Sequence, residues 1–261
     1  MAEAARRIDR IDTAARFSAA DADALNARFA GVSTRDMLAA VFSEGLVGRI
    51  AAVSSFGAES AVLLHLLADI DRNVPVLFLE TGKHFPETLA YRDELTRQLG
   101  LTNVISLSPD AELLARRDEN GLRWSFDPDG CCEIRKVLPL AKALAGYDAT
   151  ITGRKGFQNA ARTGLPRFEI DLTDQAARLK INPLADWSGD QIKAYMAAAG
   201  LRVHPLAAQG YPSIGCMPCT SRVVPGEDPR SGRWKGWDKT ECGIHVDGSV
   251  QELPPGYEPY L

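Results

Sequence analysis

The five cysteines of this 261-residue chain carry its clearest chemical signal. Cys131 and Cys132 are adjacent, Cys216 and Cys219 form a Cys-x-x-Cys pair, and Cys242 stands alone near the C-terminus. Two such thiolate pairs can supply the four ligands of an iron–sulfur cluster or of a structural zinc ion. Cys242 has no second cysteine at ligand spacing, so it is a candidate nucleophile.

Length, composition and charge limit the class of protein. The chain is 45% hydrophobic with a formal net charge of −4, which predicts one large core. This charge argues against a nucleic-acid partner, because nucleic-acid binding rests on a basic surface. The sequence contains no apolar run of membrane-spanning length and no signal peptide, so we expect no membrane partner. We therefore expect a cytoplasmic protein with reduced cysteines.

The apolar pattern predicts an α/β fold, because short β-branched runs alternate with segments of helical periodicity. Strands are predicted at residues 49–55, 74–80, 103–108, 148–153 and 178–182, and helices at residues 34–44, 59–69, 86–99, 133–145 and 189–199. These elements predict a single domain with a mainly parallel, roughly five-stranded sheet flanked by helices. We divide the chain into an N-terminal helical segment at 1–48, a main domain at 49–221, and a tail at 222–261 that carries Cys242. The first thirty or so residues are expected to be helical and weakly packed.

Two loops after predicted strands are candidates for nucleotide binding. The first, Ser54-Ser55-Phe56-Gly57-Ala58-Glu59-Ser60, would direct hydroxyls and backbone N–H groups toward an anion at a helix N-terminus. It lacks the Walker and GxGxxG signatures, and an ordinary turn explains it equally well by itself. The second, Leu79-Glu80-Thr81-Gly82, lies at the same carboxyl edge of the sheet. Because ligands bind at that edge in open α/β sheets, the two loops together favour a nucleotide pocket.

The loops and the cysteines together resemble one family, the adenylyl-sulfate (APS) and 3′-phosphoadenylyl-sulfate (PAPS) reductases of the adenine nucleotide α-hydrolase-like superfamily. Within it, the assimilatory bacterial APS reductases are most similar. Besides the two loops, the resemblance is carried by Cys131-Cys132-Glu133-Ile134-Arg135-Lys136, Gly215-Cys216-Met217-Pro218-Cys219-Thr220, Arg230-Ser231-Gly232-Arg233-Trp234 and Glu241-Cys242-Gly243-Ile244-His245. Two positions depart from the family pattern: Glu80 replaces an aspartate, and Lys235 stands where a second tryptophan is common. Residues 152–158 match the family only loosely.

The resemblance implies one [4Fe–4S] cluster per chain, held by Cys131, Cys132, Cys216 and Cys219. A cubane spreads its ligand positions over separate irons, so it accommodates adjacent cysteines more readily than one tetrahedral zinc does. Cys131 and Cys132 precede the helix predicted from residue 133, whose N-terminal dipole would favour thiolates. Lys136 would lie one turn further along, within reach of both the cluster and a bound anion.

The resemblance also implies APS as the substrate, AMP as a product, and reduced thioredoxin or a glutaredoxin-like protein as the reductant. Lys136, Arg162, Arg230 and Arg233 would contact the phosphate and sulfate of APS. Guanidinium groups bind such oxyanions in a bidentate manner. Arg135, Arg154 and Lys155 are weaker candidates. The predicted substrate-binding residues are Ser54, Ser55, Phe56, Gly57, Ser60, Leu79, Glu80, Thr81, Gly153, Arg154, Arg162, Arg230 and Arg233.

The predicted catalytic residues are Cys242, Lys136 and His245. By resemblance, the Cys242 thiolate attacks the sulfate sulfur of APS, and thioredoxin then releases sulfite from the resulting Cys-S-sulfonate. His245 would lower the pKa of Cys242 or contact the substrate, and a surface role explains it equally well. The sequence is compatible with a homo-oligomer and does not determine one.

Three alternatives stay open at this point. A nucleotide-dependent adenylating enzyme of the same superfamily would carry a Ser-Gly-Gly-x-Asp-Ser loop, which residues 55–60 do not supply. A non-catalytic metal-binding regulator would leave Cys242 and both pocket loops unexplained. Cluster-free PAPS reductases share the tail cysteine and lack the four ligand cysteines, so APS is favoured, with dual specificity as the third alternative.

Overall fold

The computed structural model describes residues 16–158, 162–171, 177–239 and 241–244. The strands are β1 (Ile50–Val53), β2 (Val76–Leu79), β3 (Val104–Leu107), β4 (Ala149–Thr152), β5 (Phe168–Ile170) and β6 (Leu179–Ile181). The helices are α1 (Ala19–Arg28), α2 (Thr34–Ser43), α3 (Ser60–Ile70), α4 (Pro86–Leu99), α5 (Ala111–Arg117), α6 (Pro128–Cys132), α7 (Leu138–Leu144) and α8 (Gly189–Ala198), with a π-helical segment at Glu133–Val137.

The strands of the described residues form one six-stranded sheet in the order β3-β2-β1-β4-β6-β5. All neighbours are parallel except β5, which pairs antiparallel with β6. The predicted α/β class and its five strands are therefore confirmed. β5 was not predicted.

Successive residues of the central strands face opposite layers of the core. Ala52, Val76 and Phe78 belong to the larger apolar cluster, which α2, α3 and α8 cover. Ala51 and Leu77 alternate with them and belong to a smaller cluster on the other face, which α7 covers with Leu140 and Leu144. The sheet is thus buried on both faces, as parallel sheets are, and its carboxyl edge stays open for a ligand.

The N-terminal segment packs more tightly than the sequence suggested. A capping box between Ser18 and Asp21 begins α1. The Asn26 side chain donates to the carbonyl of Phe168 at 2.8 Å and accepts from its amide at 3.0 Å. Phe29 is buried and stacks on Phe168 with 5.6 Å between ring centroids. The expectation of weak packing is wrong for this helix, because β5 offers it an edge to bind.

The helix that carries the first cysteine pair begins five residues before the predicted start. Asp127 caps it by accepting the Gly130 amide at 2.8 Å, and Pro128 occupies the first turn. The chain continues through the π-helical segment into α7. Cys131 and Cys132 therefore lie inside the helix and do not precede it, which corrects the prediction.

Asp148 ties the entrances of β1 and β4 together. It accepts the Arg49 amide at 2.8 Å and forms ion pairs with the guanidinium groups of Arg49 and Arg16. Gly48 (φ +70°) must be glycine here, since a Cβ would approach the Asp148 carboxylate to 2.7 Å. Burial opposes the charge on Asp148, but the hydrogen bonds from Arg49 and Arg16 outweigh it and lower its pKa to about 2.

We expect Asp148→Asn to lower the free energy of unfolding at pH 7 by about 1–2 kcal/mol, since the partner arginines are largely exposed. The folded pKa lies below the unfolded value, so the stabilisation is complete above pH 4 and is lost as the pH falls toward 2. Urea unfolding of both proteins at several pH values would measure it. A difference that stays constant down to pH 2 would contradict an ionic origin.

Candidate active site

A cavity of about 1170 Å³ opens at the carboxyl edge of β1, β2 and β4, and we call it the edge cavity. This volume suffices for a nucleotide. It brings together most of the residues predicted for substrate binding or catalysis, namely Ser54, Ser55, Gly57, Ser60, Leu79, Lys136, Gly153, Arg154, Arg162, Arg230, Arg233 and Cys242. β1 and β4 are neighbours in the sheet, and the chain continues from β1 to β2 in one direction and from β4 to β5 in the other. Open α/β sheets bind ligands at such a point.

The loop between β1 and α3 is fixed by its own side chains. The Ser54 hydroxyl accepts the amide of Phe56 at 3.2 Å, and the Ser60 hydroxyl donates to the Gly57 carbonyl at 2.8 Å. Phe56 adopts a left-handed φ of +47° and is fully buried, with its ring edge-on to Phe78. This buried anchor offsets the backbone strain and leaves Ser55 and Gly57 facing the cavity.

Three predicted substrate-binding residues have side chains outside the lining of the edge cavity. Phe56 lies in the core, because its ring completes the packing of the sheet. Glu80 accepts the amide of Gly82 at 3.0 Å and faces Arg92. Thr81 is fully buried, with its hydroxyl 3.4 Å from the Cys216 sulfur. A part in substrate binding stays a prediction for all three.

The basic loop after β4 is neutralised by carboxylates. Arg154 is buried and pairs with Glu169, and it also donates to the Asn182 side chain at 3.2 Å. Lys155 is 3.0 Å from the Glu59 carboxylate, and burial lowers its pKa. Buried charges of this kind require partners. Both side chains therefore fix the loop, which agrees with the prediction that they are weaker candidates for binding the substrate anion.

The segment after Cys219 packs over the cavity through Trp234. This residue is buried, has a φ of +47°, and donates its amide to the Cys219 carbonyl at 3.1 Å. The Arg233 guanidinium lies 4.4 Å from the centre of its ring. Gly215 leaves room for that guanidinium, since a Cβ there would approach Arg233 Nη2 to 2.2 Å. The contact fixes Arg233 at the cavity wall.

Cys242 lies in the wall of the edge cavity, next to Glu241 and Ile244. The Glu241 carboxylate reaches Arg162 at 2.7 Å and Arg230 at 3.4 Å. Two predicted anion-binding arginines thus hold the residue before the candidate nucleophile.

The four remaining cysteines surround one small second cavity, the cysteine cavity, lined by Cys131, Cys132, Cys216 and Cys219 with Trp124, Arg135 and Lys136. All four thiols are free. Burial raises the pKa of Cys131 to about 12 and that of Cys219 to about 11. They therefore stay protonated at pH 7 unless a cation takes the place of the proton. The described residues contain no group of three or more His, Cys, Asp or Glu side chains arranged around a single metal ion.

Arg135 and Lys136 leave the π-helical segment in different directions. Arg135 is buried, pairs with Asp118 at 2.6 Å and donates to the Thr81 carbonyl at 2.7 Å, so it fixes the helix to β2. Lys136 lines both cavities. Burial opposes its charge, whereas the neighbouring Cys216, Cys242 and Cys132 sulfurs, in their thiolate form, outweigh burial and raise the pKa of Lys136. The ammonium between the two cavities is therefore stabilised when those sulfurs carry negative charge.

Comparison with known proteins decides the family. Residues 49–222 match the family described as "Phosphoadenosine phosphosulfate reductase domain". The chain belongs to this family. The "Adenosine 5'-phosphosulfate reductase" of Mesorhizobium japonicum is 50% identical over 93% of this chain and 94% of that protein. The protein of the same name from Chelativorans sp. is 54% identical over 77% of this chain and 80% of its own length.

A solved structure agrees with this family assignment. Phosphoadenylyl-sulfate (PAPS) reductase from Candida auris, in its phosphate complex, superposes with a TM-score of 0.66 at 25% identity, over 80% of this chain and all of that one. The family resemblance predicted from the loops and cysteines is confirmed. The roles of individual residues, and the proposed division into segments, stay predictions.

Two residues of this PAPS reductase family member were missed by the sequence reasoning. Glu241 was noted only as part of the tail motif, although a carboxylate next to a candidate nucleophile in an arginine-rich site is a usable signal. His84 lines the edge cavity and donates its Nε2–H to the Leu79 carbonyl at 2.7 Å, and burial lowers its pKa. No spacing rule indicated that histidine. His245, the third predicted catalytic residue, lies outside the described residues.

Proposed function

We propose that the protein reduces APS to sulfite and AMP in assimilatory sulfate reduction and cysteine biosynthesis, through a Cys-S-sulfonate on Cys242. The observation that carries this proposal is that Cys242 shares the edge cavity with the predicted nucleotide loops, Lys136 and Arg233. Relatives named as adenosine 5'-phosphosulfate reductases at 50% and 54% identity support the choice of substrate. The reaction takes place in the cytoplasm, where thiol reductants are available.

The loops at the carboxyl edge bind the nucleotide. Ser54, Ser55, Gly57 and Ser60 present hydroxyls and amides at the start of α3, where an anion is favoured. Leu79 and Gly153 line the cavity on either side of that loop, and their lack of charge suits a purine and ribose. Lys136 and Arg233 supply positive charge at the wall that Cys242 shares.

The first step is a displacement at sulfur. The Cys242 thiolate forms a bond to the sulfate sulfur of APS, and the bond from that sulfur to the bridging oxygen breaks. AMP leaves with the electron pair, so its phosphate gains negative charge as the bond breaks. Lys136 and Arg233 line the same cavity as Cys242 and can stabilise that charge. The product is a sulfonate on Cys242.

The second step uses a protein dithiol as the reductant. A thiolate of reduced thioredoxin, or of a glutaredoxin-like protein, attacks the Cys242 sulfur, and sulfite leaves with the electron pair. The second thiol of the partner then resolves the mixed disulfide and returns Cys242 to its thiol form. Both electrons come from the dithiol, which is oxidised to a disulfide, so the balance requires no electron from a metal.

The donor set of the cysteine cavity is the one that a [4Fe–4S] cluster uses. Four free thiols line it together, and the hydroxyl of Thr81 lies close enough to Cys216 to donate a hydrogen bond to a ligand sulfur. Cys131, Cys132, Cys216 and Cys219 would hold the cluster, which would supply negative charge in place of the thiol protons, in the cavity that Lys136 also lines.

We expect protein purified without oxygen to be brown, with about four irons and four sulfides per chain. Cys132→Ser and Cys219→Ser should lose iron together with activity. Cys242→Ser is the matched control, because it makes the same substitution outside the cysteine cavity, and it should retain the iron. Colourless, active protein with one zinc per chain would contradict the cluster.

We expect reduced protein incubated with APS and no reductant to release one equivalent of AMP and to carry a sulfonate on the tail peptide containing Cys242, as a covalent mechanism requires. Mass spectrometry of the peptides would locate the adduct. Cys242→Ser should bind AMP with unchanged affinity and form no adduct. Reduced thioredoxin added to the wild-type adduct should release sulfite. A sulfonate on a different cysteine, or wild-type turnover by the serine variant, would exclude the mechanism.

PAPS is the second candidate substrate, because the family profile and the Candida auris structure both carry that name. The four ligand cysteines favour APS. A cavity fitted to a bare ribose 3′-hydroxyl should lose affinity when a dianionic phosphate must be desolvated there. We therefore expect a higher kcat/KM for APS, measured beside PAPS with the same thioredoxin. Equal or faster turnover of PAPS would reverse the assignment.

A further inference from the structure

The tail segment is anchored on the N-terminal side of Cys242 by an ion pair of low exposure. Glu241 Oε1 is 2.7 Å from Arg162 Nη2, and Oε2 is 3.4 Å from Arg230 Nη2. The side chains of Arg162, Glu241 and Arg230 are 9%, 13% and 18% exposed. Water screens such a pair far less than it screens a surface pair. The contact can therefore fix the position of the backbone at residue 241.

A second anchor, Ile244, lies two residues after Cys242. Ile244 packs against the smaller apolar cluster, which includes Leu77 of β2 and Leu140 of α7. Gly243, with φ +76°, makes the bend between the thiol and this anchor, and a Cβ there would lie 3.3 Å from the Val137 side chain. The segment thus touches the helix of Lys136 on one side of the thiol and the two arginines on the other.

We propose that Glu241 is a positioning residue that, together with Ile244, holds Cys242 over the edge cavity before any nucleotide binds. This inference rests on the proposed function, in which Cys242 is the nucleophile. A thiol whose segment is fixed on both sides, at Glu241 and at Ile244, loses little further conformational freedom when the substrate binds, which favours attack. The ion pair is also reversible, so the segment can open to present the sulfonate to a protein reductant.

The same geometry divides the predicted anion-binding residues into two groups. Arg162 and Arg230 are engaged by the carboxylate of the tail. Lys136 and Arg233 have no carboxylate within ion-pair distance among the described residues, and both line the edge cavity together with Cys242. We assign Lys136 and Arg233 to the reacting anion, and Arg162 and Arg230 to closure of the tail through Glu241.

Glu241→Gln in the full-length protein tests the anchor without using the reaction. The rate at which iodoacetamide alkylates Cys242 without nucleotide is followed by mass spectrometry of the tail peptide. This alkylation rate is measured at the high-pH plateau, where ionisation of the thiol no longer limits it, so that it reports access to Cys242. We expect alkylation at least about tenfold faster than in the wild type, because the neutral amide no longer forms the weakly exposed ion pair with the two arginines. Ile244→Ala, at the other anchor, should also accelerate it.

Asp238→Asn is the matched control. It removes the same charge from the same segment, and in the described structure Asp238 is exposed and has no hydrogen bond or ion pair. It should leave the alkylation rate within about twofold of the wild type, as surface substitutions usually do. An unchanged rate in Glu241→Gln, or equal acceleration in both variants, would overturn the proposal.

Two further readouts separate positioning from other roles. The dissociation constant for AMP should change by less than about threefold in Glu241→Gln, while the rate of adduct formation at saturating APS falls at least about tenfold. Clearly tighter AMP binding would instead make Glu241 a competitor of the substrate, and the positioning role would be wrong. Absence of any APS-dependent adduct in the wild type would refute the proposed function alone, since the alkylation result would still stand.

Discussion

The site depends on the Lys136 side chain, which lines both cavities. Burial alone would favour the neutral amine. Negatively charged sulfur atoms favour the ammonium instead, so the charge of the lysine depends on deprotonation of the cysteines around it. The π-helical segment makes the arrangement feasible. Its wider turn lets Arg135 be used for attachment to Asp118 and the Thr81 carbonyl, while the next residue faces the cavities.

The smaller apolar cluster connects the helix of Lys136 to the tail. Leu140 and Leu144 pack on β1 and β2, and Ile244 packs on the same surface. Alternation along the strands is the reason: the residues facing this layer, Ala51 and Leu77, leave a shallow apolar surface beside the carboxyl edge. One packing surface therefore sets the position of the ammonium and of the thiol segment, and a change there would move both.

Much of the fold could be predicted from the sequence, because parallel strands buried on both faces appear as short apolar runs. The cysteine pairs and the loop of residues 54–60 were equally visible as patterns. The start of the cysteine helix was missed although Asp127 and Pro128, a capping residue and a first-turn proline, mark it. The burial of Phe56 against Phe78 and the contact of Glu241 with Arg162 arise from tertiary packing between residues far apart in the sequence, and no local period encodes such contacts.

Charge pairing explains how a chain with a formal net charge of −4 can select an anion. Arg135 is neutralised by Asp118, Arg154 by Glu169 and Lys155 by Glu59, and each of these pairs fixes a loop or a helix. Such pairs contribute rigidity and little attraction at a distance, since each is almost neutral as a unit. Attraction is left to cations that face the cavity without a carboxylate. Selection of a sulfate and phosphate ester therefore depends on which basic residues lack a carboxylate partner, more than on the number of basic residues.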